Sequence, residues 1–291
     1  MNELDIEVNK RRDFSDVINV TFKFIKQEFK PFFGTIATYS IIPIIGASVL
    51  AVFYTTDSFQ LYFQGLVDNN SSIATPDFGM YGLMMLVSML CYLIVMGISY
   101  EYLNLYNERG RGNFTGGDVA SAFGKNFLSL IAYFIVVYII TIIASIFFII
   151  PGIYLGIVLS LIFMVKTVEN KGFSRNWSRC FELIKGNWWN TFGLLIILSI
   201  IVGVSSSIFT MPTMIYSFTK GITMAQGGEG EFDKKIMIVF SLISTFASYM
   251  IYSVIYLGIG FQYYSLAARD NSQSILERIN KIGESDTNEV Q

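Results

Sequence analysis

Apolar residues run almost unbroken over 31–54, 80–103, 127–168, 191–209 and 236–266, and the charged residues collect between these runs. A helix that crosses a hydrocarbon core about 30 Å thick needs about 20 such residues. Four of the runs fit one crossing each. The remaining run, 127–168, holds 42 residues with Lys166 its only charge. As a single helix it would be roughly 63 Å long, twice the core and beyond what tilting absorbs. It therefore crosses twice, and FFIIPGIYL at 147–155 supplies the break. Proline cannot continue the helical hydrogen-bond ladder and glycine takes the conformations a turn needs, so Pro151-Gly152 is the predicted hairpin turn. The fold class is all-α: a polytopic membrane protein of six transmembrane helices arranged as three hairpins.

Before the first and fifth spans the apolar spacing becomes helical instead of continuous. Phe14, Val17, Ile18, Thr21, Phe22, Ile25 and Phe29 recur at i, i+3, i+4, with Asp16, Lys23, Lys26 and Lys30 mainly on the other side. Phe173, Trp177, Cys180, Phe181, Ile184 and Trp188 do the same against Arg175, Arg179, Glu182 and Lys185. Helices of this kind beside a span lie flat among lipid headgroups, aromatic residues at the boundary and cations near anionic lipid. Two readings stay open: the helices frame the bundle, or they present Arg175, Arg179, Lys185, Lys23 and Lys26 as a surface that docks lipid or a partner.

The two segments also align. Laying 22–42 over 180–201 at an offset of 159 puts Ile25-Lys26 on Ile184-Lys185, Phe29 on Trp188, Phe33-Gly34 on Phe192-Gly193, and Ser40-Ile41-Ile42 on Ser199-Ile200-Ile201. A weaker copy lies at 118–137, where Lys125-Asn126-Phe127 matches 185–188 with one residue skipped. Repeats of this kind indicate modular construction. The whole chain, 1–291, then reads as a single integral membrane domain of three modules, 14–106, 115–170 and 172–268, each a cytoplasmic amphipathic helix followed by a hairpin, with a polar cytoplasmic tail at 269–291.

Charge supports the same topology. With six spans and both termini inside, 17 of the 20 lysines and arginines fall in cytoplasmic segments, as the positive-inside rule requires. Outside remain Lys220, Lys234 and Lys235, diluted by Glu229, Glu231 and Asp233, and a 55–79 loop with three aspartates and no basic residue. A single crossing at 127–168 would expel the basic 171–185 cluster. The opening MNELDIEVNKRRDF is too charged, and the first apolar run too late, for a cleaved secretory signal. The expected location is a bacterial cytoplasmic (inner) membrane.

Composition narrows the chemistry. The chain is 53% hydrophobic and 14% charged, with a mean hydropathy of +0.53, which excludes an ordinary soluble domain. It contains no histidine, the commonest acid–base group and metal ligand. Cys91 and Cys180 have no metal or CxxC spacing and are expected to be buried thiols. Glu101 and Glu169 sit at the inner ends of spans, where Arg109, Arg111, Lys166 and Lys171 are candidate partners; no carboxylate falls mid-span, where a proton or ion pathway would place one. RGRGNFTGGD at 109–118 lacks the GK[ST] ending of a phosphate loop. No catalytic residue, metal site, cofactor or nucleic-acid partner is predicted. Ser199, Gly203, Ser206 and Ser207 in the fifth span, and Ser241, Ser244, Thr245, Ser248, Tyr249, Tyr252, Ser253 and Tyr256 in the sixth, form small or hydroxylated ladders that suit close helix packing. A polar path for a solute or lipid is the alternative.

The segment from Pro151 through Phe192 resembles a bacterial integral-membrane domain family that includes the membrane domain attached to some glycerophosphoryl diester phosphodiesterases. Pro151, Gly152, Tyr154, Glu169, Gly172, Ser178, Lys185, Gly186, Trp188 and Phe192 carry the resemblance. It implies a membrane subunit with no chemistry of its own, because the catalytic barrel of such phosphodiesterases is a separate soluble domain rich in histidines and metal-binding carboxylates. The expected function is a non-enzymatic membrane subunit or scaffold that organises membrane lipids or other membrane proteins. A transport component with a path between the fifth and sixth spans is the alternative.

Overall fold

The computed structural model describes residues 5–67, 77–147, 149–226 and 233–288. Among the described residues there are nine helices and no strand: α1 (Phe14–Gln27), α2 (Phe29–Val67), α3 (Phe78–Arg109), α4 (Gly116–Phe147), α5 (Ile149–Leu159), α6 (Ile162–Glu169), α7 (Phe173–Ile184), α8 (Trp188–Ala225) and α9 (Lys234–Asn288). Six helical stretches are long and apolar enough to cross a membrane: Phe29–Tyr54, Phe78–Arg109, Gly116–Ile146, Ile149–Glu169, Trp188–Met224 and Lys234–Ser272. Their outward surfaces are apolar: Ile42, Leu128, Ile146, Ile150 and Phe218 are all strongly exposed. Water would penalise so large an apolar surface and lipid does not. The protein is an all-α, multi-pass membrane protein.

Several elements differ from the sequence reading. The expected 55–79 loop is helical through Val67, while 68–76 lie outside the described residues, as do Glu229 and Glu231. The side-chain oxygen of Asp77 then caps α3 by accepting from the amides of Gly79 (2.9 Å) and Met80 (3.0 Å). No separate helix precedes the third span, because 118–127 continue without a break into α4. The end expected as a polar tail from 269 belongs to α9, which runs to Asn288.

Pro151 and Gly152 do not form the turn themselves. They lie inside the first turn of α5, which begins at Ile149. Proline is tolerated there because the first helical amides have no acceptor to lose. Gly152 serves a different end: a Cβ at this position would come within 2.3 Å of Ser145 Oγ and 2.8 Å of its Cα, so only glycine lets α5 approach α4 this closely. A Cβ at Gly156 would be 4.0 Å from Thr141, and the rings of Phe134 and Phe163 are 6.2 Å apart. Each of these pairs is symmetric about the junction of 148 and 149, so α4 packs antiparallel to α5 and α6.

The chain divides into two compact units. One comprises Met1–Phe32, Gly97–Leu198 and Val254–Gln291. Its core gathers around Phe24, which is 0% exposed and meets Phe32, Tyr102, Tyr106 and Phe261 edge-on at ring separations of 6.3, 6.2, 5.0 and 5.5 Å. Glycines let the helices close around it. Gly258 faces Leu198 and Thr21, Gly260 faces Leu103 and Met164, and Gly97 faces the Phe123 ring.

The other unit comprises Phe33–Met96 and Ser199–Ser253. Its hydroxyl groups bond across helices: Ser244 Oγ to the Phe209 carbonyl (2.6 Å) and Thr213 Oγ1 (3.2 Å), Ser241 Oγ to the Ser48 carbonyl (3.4 Å), and Tyr249 OH to the Ser88 carbonyl (3.3 Å). Tyr92 packs against Tyr249 and Tyr252. These polar side chains therefore join helices, the use expected where lipid gives no hydrophobic drive for association.

Candidate functional site

The two amphipathic helices bury only part of the stripes the spacing indicated, Val17 and Thr21 in α1 and Cys180 and Ile184 in α7. In α1 the buried residues are Val17, Thr21, Phe24 and Gln27. Phe22 (38% exposed) and Phe29 are on the surface beside the exposed Lys23, Lys26 and Lys30. In α7 the buried residues are Asn176, Cys180, Leu183 and Ile184, while Phe173, Trp177 and Phe181 form a half-buried aromatic row with successive ring separations of 5.9 and 5.7 Å. Each helix thus has a protein-facing stripe and a second surface in which aromatic side chains accompany cations.

Of the five candidate docking residues, Lys23, Lys26, Arg175 and Lys185 are exposed. Arg179 is not: its side chain is 16% exposed and meets three carboxylates, Glu169 at 2.9 Å, Asp270 at 2.7 Å and Glu182 at 3.4 Å. Burial alone would lower the pKa of this guanidinium, but hydrogen bonds to Asp270 and Glu169 outweigh it and raise the pKa above its ordinary value. Glu169 also pairs with Lys171 at 3.1 Å and accepts from Tyr263 OH at 3.3 Å. Arg179 therefore ties α7 to the end of α6 and to α9, a structural duty that removes it from the docking set. Beside it Cys180 is fully buried, and burial pushes its thiol up to about 12, which leaves it inert as a nucleophile.

Glu101 accepts from Asn126 Nδ2 at 3.0 Å. Among the described residues it has no ion pair with Arg109 or Arg111: Arg109 is 3.7 Å from Asp118, and Arg111 bonds Glu28 at 2.8 Å. Glu28 is buried, also accepts from Tyr102 OH at 2.7 Å, and so connects the α1–α2 junction to α3 and the loop that follows it.

Next to the Arg179 cluster is an open cavity of about 400 Å³. Its charged lining residues are Glu169, Lys171, Arg175 and Arg179, and its hydroxyl and amide lining comes from Tyr263, Tyr264, Asn9, Asn107 and Asn271. A smaller cavity of about 60 Å³ is lined by Arg11, Arg12, Asp13, Asn187, Gln262 and Arg269 among others. There Arg269 bonds the Asn187 side chain, and burial lowers the Arg12 pKa against the opposing charges of Glu7 and Asp16. Both cavities lie within the first unit. No group of metal-ligating side chains occurs among the described residues.

These features define a helical membrane protein with a cationic, aromatic-flanked surface and a polar cavity. Comparison with family models, with curated proteins and with solved structures finds no match for this chain.

Proposed function

We propose that the protein is a non-catalytic membrane subunit or scaffold of a bacterial cytoplasmic membrane, with both termini cytoplasmic, that organises anionic lipid and through it partner membrane proteins. The observation that carries this reading is the exposure of Lys23, Lys26 and Lys30 beside Phe22 and Phe29, and of Lys185 near the exposed Trp189. Aromatic groups at the headgroup boundary with cations beside them suit anionic lipid, each cation contributing about 1 kcal/mol near such a surface. The resemblance of the 151–192 segment to membrane domains that accompany separate enzymes is in keeping with it. The transport alternative has less support, because Ser241, Ser244 and Tyr249 already bond neighbouring helices.

Two measurements test the proposal. Changing Lys23, Lys26 and Lys185 together to glutamine should reduce the anionic lipid that co-purifies in mild detergent several-fold, with a melting temperature close to that of the parent, since exposed substitutions alter stability by no more than about 0.5 kcal/mol each. Unchanged lipid retention would refute docking. For orientation, Lys235→Cys should react with an impermeant maleimide in intact cells, whereas Lys185→Cys should not. The native Cys91 and Cys180 are buried and give no background. Labelling at 185 would invert the topology.

A further inference from the structure

We propose that the 400 Å³ cavity is a binding site for a phosphate ester. The inference rests on the docking reading and narrows its ligand to one chemical class and one place. The lining charges are three cations and one carboxylate, and they are not equivalent. Arg179 is neutralised by Glu169, Asp270 and Glu182. Lys171 shares Glu169. Arg175 is exposed and, among the described residues, has no carboxylate within ion-pair distance. By number the three carboxylates Glu169, Glu182 and Asp270 balance the three cations, but none of them meets Arg175, so Arg175 is the lining charge that an anion can complete.

Guanidinium and ammonium groups together favour phosphate. Arginine matches two of its oxygens with a planar fork and lysine adds a point charge. The site is also held in place. The Lys171 carbonyl accepts from Asn176 Nδ2 at 2.8 Å and from Tyr133 OH at 3.3 Å, which fixes the backbone where the cations leave it. The same Asn176 is fully buried at the start of α7, three residues after Phe173. The rest of the polar lining is uncharged, with Tyr263, which donates to Glu169, and Tyr264, Asn9, Asn107 and Asn271. Hydroxyl and amide groups bond ester oxygens and hydroxyls of an esterified group without adding charge. The volume falls within the usual range for small-ligand sites, about 300–1,000 Å³, larger than a bare phosphate requires. A phosphate with a polar substituent fits a lining of this mixed composition, whether it is the headgroup of an anionic lipid or a soluble phosphate ester.

The test uses the full chain purified in detergent. Inorganic phosphate at millimolar concentration should raise the melting temperature of the parent, with chloride at matched ionic strength as control. Arg175→Gln should weaken that response at least tenfold, and Arg175→Lys should keep part of it. The glutamine triple at 23, 26 and 185 should respond like the parent. A short-chain phosphatidylglycerol that competes with phosphate, and loses affinity on Arg175→Gln, identifies a lipid headgroup as the source. Competition by glycerol 3-phosphate but not by the lipid identifies a soluble ester. The site is overturned if phosphate, the ester and the lipid all leave the parent unchanged, or if Arg175→Gln responds as the parent does. Failed responses to phosphate, the ester and the lipid alongside lost lipid retention in the 23/26/185 triple would reject the cavity and leave the docking surface standing, whereas the reverse pair of results would reject the surface.

Discussion

Phe24→Ala is expected to lower the stability of the detergent-solubilised protein by about 3–5 kcal/mol, the usual result of truncating a fully buried aromatic side chain. Phe24 is at the centre of the first unit and touches side chains from α2, α3 and α9, so removing its ring takes a shared contact from four helices at once. The cavity left behind cannot be filled by Phe32 or Phe261 without moving helices that are set by glycine contacts elsewhere. Phe22→Ala, two residues away on the exposed side, is the control and should cost less than about 1 kcal/mol. Thermal unfolding of both variants in the same detergent checks the difference. Equal losses would mean that α1 is rotated relative to the packing described.

Arg179→Gln is expected to destabilise by about 3 kcal/mol, at the low end for removing one member of a largely buried ion pair, because Glu182 and Asp270 are themselves half exposed. The loss is more than the Coulomb attraction of one pair. Glu169, 13% exposed at its side chain, would retain only Lys171 as an ion-pair partner, and Asp270 would lose the cation it shares with Glu169. Arg179→Lys should rescue little, since an ammonium cannot serve divergent carboxylates as a guanidinium does. The double change Glu169→Gln with Arg179→Gln should be less damaging than the sum of the single changes, because it removes the stranded charge together with its partner. Thermal melts of the four proteins form the cycle, and additive losses would show that the pair is not coupled. Arg175→Gln, four residues earlier, should leave the melting temperature near that of the parent. Removing Arg175, Arg179 and Lys185 together would therefore confuse a ligand effect with a folding defect.

The number and helical nature of the spans are legible along the chain, because lipid demands an apolar run of a minimum length wherever a helix crosses it and each run can be counted without knowing its neighbours; where the helices end is not, since the fifth stretch runs over Trp188–Met224 instead of 191–209. Periodicity could not decide which side of α1 turns inward. Phe22 and Phe24 are both aromatic, and a membrane-surface helix has two apolar destinations, the protein core and the lipid, which select for the same side chains. Only the packed partners Tyr102, Tyr106 and Phe261 assign Phe24 to the first. The exposed set Lys23, Lys26 and Lys185 was readable as charge on a polar face. The separate fates of Arg175 and Arg179 were not, since Asp270 lies 91 residues away in sequence. The same holds for Glu28 with Arg111 and for the cavity that draws its lining from the N-terminal segment, α3, the end of α6, α7 and α9. The minimum apolar run of a span is fixed by the solvent, and so is written locally. Which charges cancel and which stay available for a ligand depends on distances between residues that are remote in sequence, and only the tertiary structure sets those.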